Sequence, residues 1–176
     1  MRLALTILLL LALLPVLVYI AAAATVGRDR VWETAFGPFP ATPIDFADPE
    51  TRTRPNRWLV CPDGWCAEQA DATSPIFDAP IQHLRAAWAL TMAAEPHTTP
   101  ILPGAADGDD QLDYRVLTPL LRFPDTLTVR FIALDGATST LAILSRSHLG
   151  YSDLGANQAR VERILGAVAD RLAAGS

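Results

Sequence analysis

"TLTVRFIALDGATSTLAILSRS", residues 126–147, decides the fold. Two apolar runs rich in β-branched and aromatic residues flank Asp135-Gly136, the strongest short hairpin signal in the chain. Read as a two-residue loop, this turn sets Phe131 against Thr140, Val129 against Ala142 and Leu127 against Leu144, all on one apolar face. The next pair along that face is Asp125 with Arg146, a carboxylate opposite a guanidinium. If partly buried, such a pair costs more to break than an exposed ion pair. In this register Ser145 and Ser147 point to the other face.

Working outward, "LDYRVLTPLLRF", residues 112–123, alternates in its first half and supplies another strand. "RWLV", residues 57–60, supplies a short one ahead of a cysteine turn. Before the strands, Ile81, Leu84, Ala87, Trp88 and Met92 recur at helical spacing. Asp78 is placed to cap that helix, Pro80 lies just inside it, and Pro96 ends it. After the strands, Val161, Ile164, Leu165, Val168 and Leu172 form one helical stripe. The expected fold is α+β: an antiparallel meander of three to four strands packed by an N-terminal and a C-terminal helix.

The chain of 176 residues carries a formal charge of -5, and its basic residues are all arginine. That balance lacks the electrostatic footprint of a nucleic-acid binder. Residues 3–26 contain no charge, and at ~1.5 Å per residue they are long enough to cross a hydrocarbon core of ~30 Å. The rival reading is a cleaved signal peptide with "AAAA", residues 21–24, at the cleavage site. Signal h-regions run to about 15 residues, which favours an uncleaved anchor here. Residues 27–57, with five prolines among them, then read as a Pro-rich tether or a strap on the domain, and 58–176 as one α+β domain.

Arg2 flanks one side of the apolar segment and Arg28 and Arg30 the other, offset by Asp29, so flanking charge leans slightly toward a cytoplasmic domain. The cysteines point the other way. Cys61 and Cys66 close the turn "CPDGWC", and paired cysteines persist in oxidising compartments. A Cys61–Cys66 disulfide and an extracytoplasmic domain are therefore expected, with two inert thiols as the alternative. His83, His97 and His148 lack metal-ligand spacing, and Asp107, Asp109 and Asp110 lack the glutamate and spacing of a calcium loop. No metal or cofactor is expected.

The polar stretch "SRSHLGYSDLGANQARVERIL", residues 145–165, carries the candidate site. "GYSDLG" comes close to a nucleophile elbow, but its second glycine falls one residue late and no partner acid is identifiable. Asp153 is better placed as the cap of the last helix. Asp153, Asn157 and Arg160 then share one face opposite the Val161–Leu172 stripe. They are either a solvated face or a polar cluster gathered around Arg146. The candidate binding residues are Ser145, Arg146, Ser147, Asp153, Asn157 and Arg160.

"LRFPDTLTVRF" followed by "LAILSRSHLGYSDLGANQARVERI" resembles the uncharacterised family catalogued as domain of unknown function 1499. Ser145, Ser147, Gly150, Ser152, Asp153, Gly155, Asn157 and Arg160 match its signature. Leu144 and His148 stand where the family has arginines, and Pro124-Asp125 replaces its acidic pair. The resemblance implies a bacterial or plastid envelope setting and no known reaction. Together these readings lead to an expected single-pass inner-membrane protein with a periplasmic domain, its N-terminal helix in the bilayer. The domain is expected to bind a small ligand, a lipid or an envelope protein without catalysis, with a purely structural role as a further reading. The alternative is an enzyme of unknown class using Arg146, Asp153, Asn157 and Arg160.

Overall fold

The structure, a computed structural model, describes residues 2–39, 44–47, 55–66, 69–101 and 111–175. Asp107, Asp109 and Asp110, the aspartates considered for calcium, lie outside the described residues. The chain opens with α1 (Arg2–Val26), followed by a short 3-10 turn (Arg28–Arg30) and α2 (Val31–Phe36). Strands β1 (Arg57–Cys61) and β2 (Ala72–Thr73) precede α3 (Ile81–Ala94). Then come β3 (Thr98–Pro100), β4 (Gln111–Leu117), β5 (Pro124–Ala133), β6 (Ser139–Ser147) and α4 (Ala156–Ala174).

The class is α+β, but the sheet has six strands, in the order β2-β1-β6-β5-β4-β3, against the three to four expected. The extra members are edge strands of two and three residues, too short to show a period. β3 to β6 form the antiparallel meander, β1 joins it antiparallel along β6, and β2 runs parallel to β1. The sheet is therefore mixed.

The hairpin register differs from expectation by one residue. Thr126 faces Arg146, Leu127 faces Ser145 and Val129 faces Ile143. The loop is longer than the two residues that Asp135-Gly136 suggested: the Leu134 N–H reaches the Thr138 carbonyl at 3.1 Å. The Asp135 carboxylate accepts from the N–H groups of Ala137 and Thr138, each at 2.7 Å, so the aspartate builds the loop by capping it. Shifting a register by one residue moves every side chain of one strand to the other face. Ser145 and Ser147 therefore join Asp125 on the helix side, and Arg146 goes to the reverse. The expected Asp125–Arg146 pair does not form.

One face of the sheet is covered by α3 and α4. Leu84, Ala87, Trp88 and Met92 of α3 and Val161, Ile164 and Val168 of α4 meet Leu127, Val129, Phe131, Leu141 and Ile143. Trp88 is fully buried, edge-on to Phe131, and its Nε1–H donates to the Tyr114 hydroxyl at 3.1 Å. Burying a ring of that size contributes about 1.5–3 kcal/mol, and the hydrogen bond removes the cost of an unmet indole donor. α3 starts from Pro80 at the cap position with no side-chain cap, so Asp78 does not serve as one. It ends at Glu95, extended because Pro96 follows.

The other face carries a smaller core, in which Leu59, Cys61, Ala142 and Leu144 are covered by Ile44 and Phe46. Cys61 and Cys66 are disulfide-bonded, with Cα atoms 6.1 Å apart, and the half-buried Cys66 packs on this core. α1 is apolar from Ala4 to Val26, with a mean hydropathy of 2.8 and no part of that window buried. By length and composition it is a membrane anchor or a signal sequence.

Candidate functional site

Asp125 is the second residue of β5 and lies on the helix side, in line with Leu127 and Val129. It is 1% exposed. A buried carboxylate needs a cation and hydrogen bonds. The cation is Arg160 of α4, whose Nη2 lies 2.5 Å from Asp125 Oδ2. Burial raises the Asp125 pKa above its ordinary value, and the charge and hydrogen bond of Arg160 oppose that rise.

Asn157, one turn before Arg160, is fully buried and spends its whole side chain. Its Oδ1 accepts from Ser145 Oγ at 2.6 Å and from Arg160 Nη1 at 2.7 Å. Its Nδ2 donates to the Asn56 carbonyl at 3.0 Å and to Ser147 Oγ at 3.1 Å. Arg160 Nη1 also donates to Ser145 Oγ at 2.8 Å. Asn56 donates in turn to the Gly150 carbonyl at 2.8 Å. Four separate parts of the chain are joined: the lead-in to β1, β5, the end of β6 and the start of α4. Each hydrogen bond contributes about 0.5–1.5 kcal/mol, but leaving one of these buried groups unmet costs about 1–3 kcal/mol.

Gly155 holds the N-cap position of α4, and Asp153, two residues ahead of it, meets a first-turn N–H in its place. Its Oδ2 accepts from the Asn157 N–H at 2.8 Å, and its carbonyl accepts from the Ala156 N–H at 3.0 Å. The chain reaches the helix through Leu154 and Gly155, both in the left-handed region at φ 53° and 83°. Gly155 adopts that conformation without strain, and the leucine does not.

The structure thus brings together five of the six candidate residues: Ser145, Ser147, Asp153, Asn157 and Arg160. Arg146 is the exception. On the reverse face it stands opposite Thr126 on one side and Arg57 on the other. Burial lowers the Arg146 pKa, and the nearby Asp113 charge opposes the shift. Asp113 also accepts from Thr128 Oγ1 at 2.5 Å. His148 Nε2 lies 2.7 Å from Thr126 Oγ1, and its imidazole sits against the Phe39 ring. His148 is thus turned to the reverse face, while the Ser152 hydroxyl accepts from the Leu154 N–H at 3.2 Å within its own turn.

The expected placement of Asn157 and Arg160 opposite the apolar stripe is also corrected. Both are buried beside Val161 and Ile164 on the face that meets the sheet. Sequence reasoning missed Asn56, whose signal was its position just before the strand "RWLV". It named Asp125 but gave it the wrong arginine.

Among the described residues, two grooves lie away from this cluster. One, of about 540 Å³, runs between the start of α3 and the end of α4, lined by residues such as Ile76, His83, Leu90 and Leu172. The other, of about 510 Å³, follows the cysteine turn past Asp63, Asp71 and Thr73. Among the described residues, no group of three or more His, Cys, Asp or Glu side chains is placed to hold a metal ion.

The family described as "Protein of unknown function (DUF1499)" matches residues 38–168, a span that contains the whole polar network. No curated protein matches the chain.

Proposed function

The chain belongs to the DUF1499 family, and from that premise we propose that it is a membrane-anchored module of the bacterial envelope that binds a small ligand or a partner protein without transforming it. One observation carries the non-enzymatic half of this reading. The polar constellation that would have to do chemistry is enclosed in the fold, and of its side-chain atoms Asp125 Oδ1 alone is buried without a hydrogen-bond partner. Asn157 is 0% exposed and all its side-chain hydrogen-bonding groups are met by neighbours in the fold. A general acid or base must come within hydrogen-bond reach of a substrate, or reach it through one water. Asp125 has the raised pKa expected of such a group, yet it is 1% exposed, and neither described groove is lined by it. Its environment fits a structural ion pair, which perturbs a pKa equally well.

The anchored half rests on α1, and the exported half on the Cys61–Cys66 disulfide, a bond that persists in oxidising compartments. In the bacterial cell this reading corresponds to a single pass through the inner membrane with the domain in the periplasm. The test is native mass spectrometry of the full chain released from host membranes in detergent. A stoichiometric adduct that survives purification is expected, whether small molecule or protein. The bare chain at its sequence mass in every preparation would refute binding.

A further inference from the structure

The end of the domain that holds the polar network also carries exposed apolar side chains. β4 ends at Leu117 opposite Pro124, and β6 ends at Ser147 opposite Asp125. The loops 118–123 and 148–155 therefore leave the same end of the sheet, and the His148 N–H reaches the Pro124 carbonyl at 3.3 Å. On the first loop Leu120 is 75% exposed, and on the second Tyr151 is 81% and Leu154 96% exposed. Apolar residues grouped in this way mark a contact surface more often than scattered ones do. Leu154 also holds a left-handed backbone, which costs the fold energy for a side chain that packs on nothing within it.

The first loop is tied to α1 and to the segment that follows it. The Leu121 carbonyl accepts from the Tyr19 hydroxyl at 3.1 Å and from Trp32 Nε1 at 2.6 Å. The Leu120 carbonyl accepts from Arg28 Nη2 at 2.7 Å. Trp32 stacks on Phe123, with ring centroids 4.5 Å apart. The loop is closed by bonds of its own, from the Arg122 N–H to the Thr118 carbonyl and from the Phe123 N–H to Thr118 Oγ1. A loop tip that reaches toward the hydrocarbon is favoured when its backbone carbonyls are met from within the protein, because each unmet group there costs several kcal/mol. Here the Leu120 and Leu121 carbonyls at the tip are met, and by tyrosine, tryptophan and arginine, residue types suited to a membrane–water boundary. Tyr19 also lies about two turns before the end of α1 at Val26, which is ~10 Å along the helix. The loop it binds is thus level with the apolar stretch, not beyond it.

From this juxtaposition we infer that the loops 118–123 and 148–155 are a membrane wedge that seats the domain on the bilayer crossed by α1, with Leu120 and Leu154 in the lipid interface. The occupant of this surface is a phospholipid bilayer. The argument for it is continuity with α1, so the wedge rests on the anchored reading above. It goes beyond that reading by fixing which end of the domain meets the lipid.

The test uses the full chain reconstituted in phosphatidylcholine vesicles, with its disulfide intact so that Cys61 and Cys66 do not react with label. An environment-sensitive fluorophore is placed in turn at Leu120→Cys, Leu154→Cys, Ala12→Cys in α1 and Ala137→Cys at the far hairpin. The expected result is blue-shifted emission, quenched by nitroxide-bearing lipid, from Ala12, Leu120 and Leu154, and water-like emission from Ala137. A water-like signal from Ala12 would show instead that the anchored reading has failed. Lipid quenching at Ala12 with a water-like signal at Leu120 or Leu154 would overturn the wedge alone. Both loop positions are exposed, so the substitutions leave the core packing intact. Repeating the set with phosphatidylglycerol in the vesicles separates apolar seating, which both compositions support, from attraction to an anionic headgroup, which would confine the blue shift to the second and overturn an apolar wedge.

Discussion

Removing Arg160 should harm this protein more than removing Asp125, and removing both should harm it least. Arg160→Leu leaves the Asp125 carboxylate 1% exposed beside Ser147 with no opposing cation. Breaking a buried pair in this way costs about 3–5 kcal/mol. Asp125→Leu leaves the guanidinium still bonded to Asn157 Oδ1 and Ser145 Oγ and 8% exposed, so its cost is smaller, about 2–3 kcal/mol. With both replaced by leucine, no charge is buried, and the remaining loss is the donor that Arg160 gave to Asn157 and Ser145, about 1–2 kcal/mol. The two singles thus sum to well above the double, with a coupling of about 3 kcal/mol or more, at the top of the usual range for residues in contact. Urea unfolding of the full chain in detergent, followed by far-ultraviolet circular dichroism and by the emission of its four tryptophans, of which Trp88 is fully buried, measures all four corners of the cycle. pH adds a second readout. Asp125 has a folded pKa above its ordinary 3.8, so the folded state binds protons more readily than the unfolded chain. A group of this kind contributes most below the unfolded pKa, and that contribution is lost as pH rises through the folded value. Without Arg160 the carboxyl rises further, so the deficit of Arg160→Leu should shrink as pH falls toward the carboxylate range. Additive singles, or a deficit that does not change with pH, would refute the buried pair.

Asn157→Ala should destabilise by about 2–4 kcal/mol, because Ser145, Ser147, Arg160 and the Asn56 carbonyl each lose a partner; a cost like that of a surface substitution would sink the interlocked network. Asp153→Ala should cost about 1 kcal/mol by the same unfolding assay, as loss of a helix cap does. Asp135, exposed and accepting from the Ala137 and Thr138 N–H groups, has a lowered pKa. Its contribution is present above the ordinary carboxylate pKa and lost as pH falls through the folded value, so Asp135→Asn should flatten that part of the acid slope of stability. α1 should hold the chain in membranes through carbonate extraction, and a mature N-terminus between Ala21 and Thr25 would show a cleaved signal instead.

The helices were legible because their apolar residues keep one period. Leu84, Ala87, Trp88 and Met92, and then Val161, Ile164 and Val168, are buried as that period requires. The hairpin was legible as an element but not in register. β6 is apolar on both faces, with Leu141 and Ile143 under the helices and Ala142 and Leu144 under Ile44 and Phe46. A strand covered on both sides gives no alternation to choose between two registers, so the loop length decides. The Asp135 side chain adds a residue to that loop through hydrogen bonds that a dipeptide signal does not record. The slip then misplaced Arg146 and hid the true partner of Asp125. For Asn157 and Arg160 the helical period leaves a solvated face and a polar cluster equally open. Their burial depends on a carboxylate delivered from β5, more than thirty residues away, which no local pattern carries.

β5 and β6, the longest strands, lie in the middle of the sheet, while its borders are β2, of two residues, and β3, of three residues ending in Pro100. A sheet recruits a neighbouring chain through the row of free amides and carbonyls along its rim, and proline offers no amide. Among the described residues each border strand pairs with only two or three residues of its neighbour, so the rim offered to a second copy is short and interrupted. Short, proline-ended borders of this kind work against edge-to-edge β-association. Lengthening either border strand, for example by replacing Pro100 with a β-branched residue, would be the direct way to remove that protection.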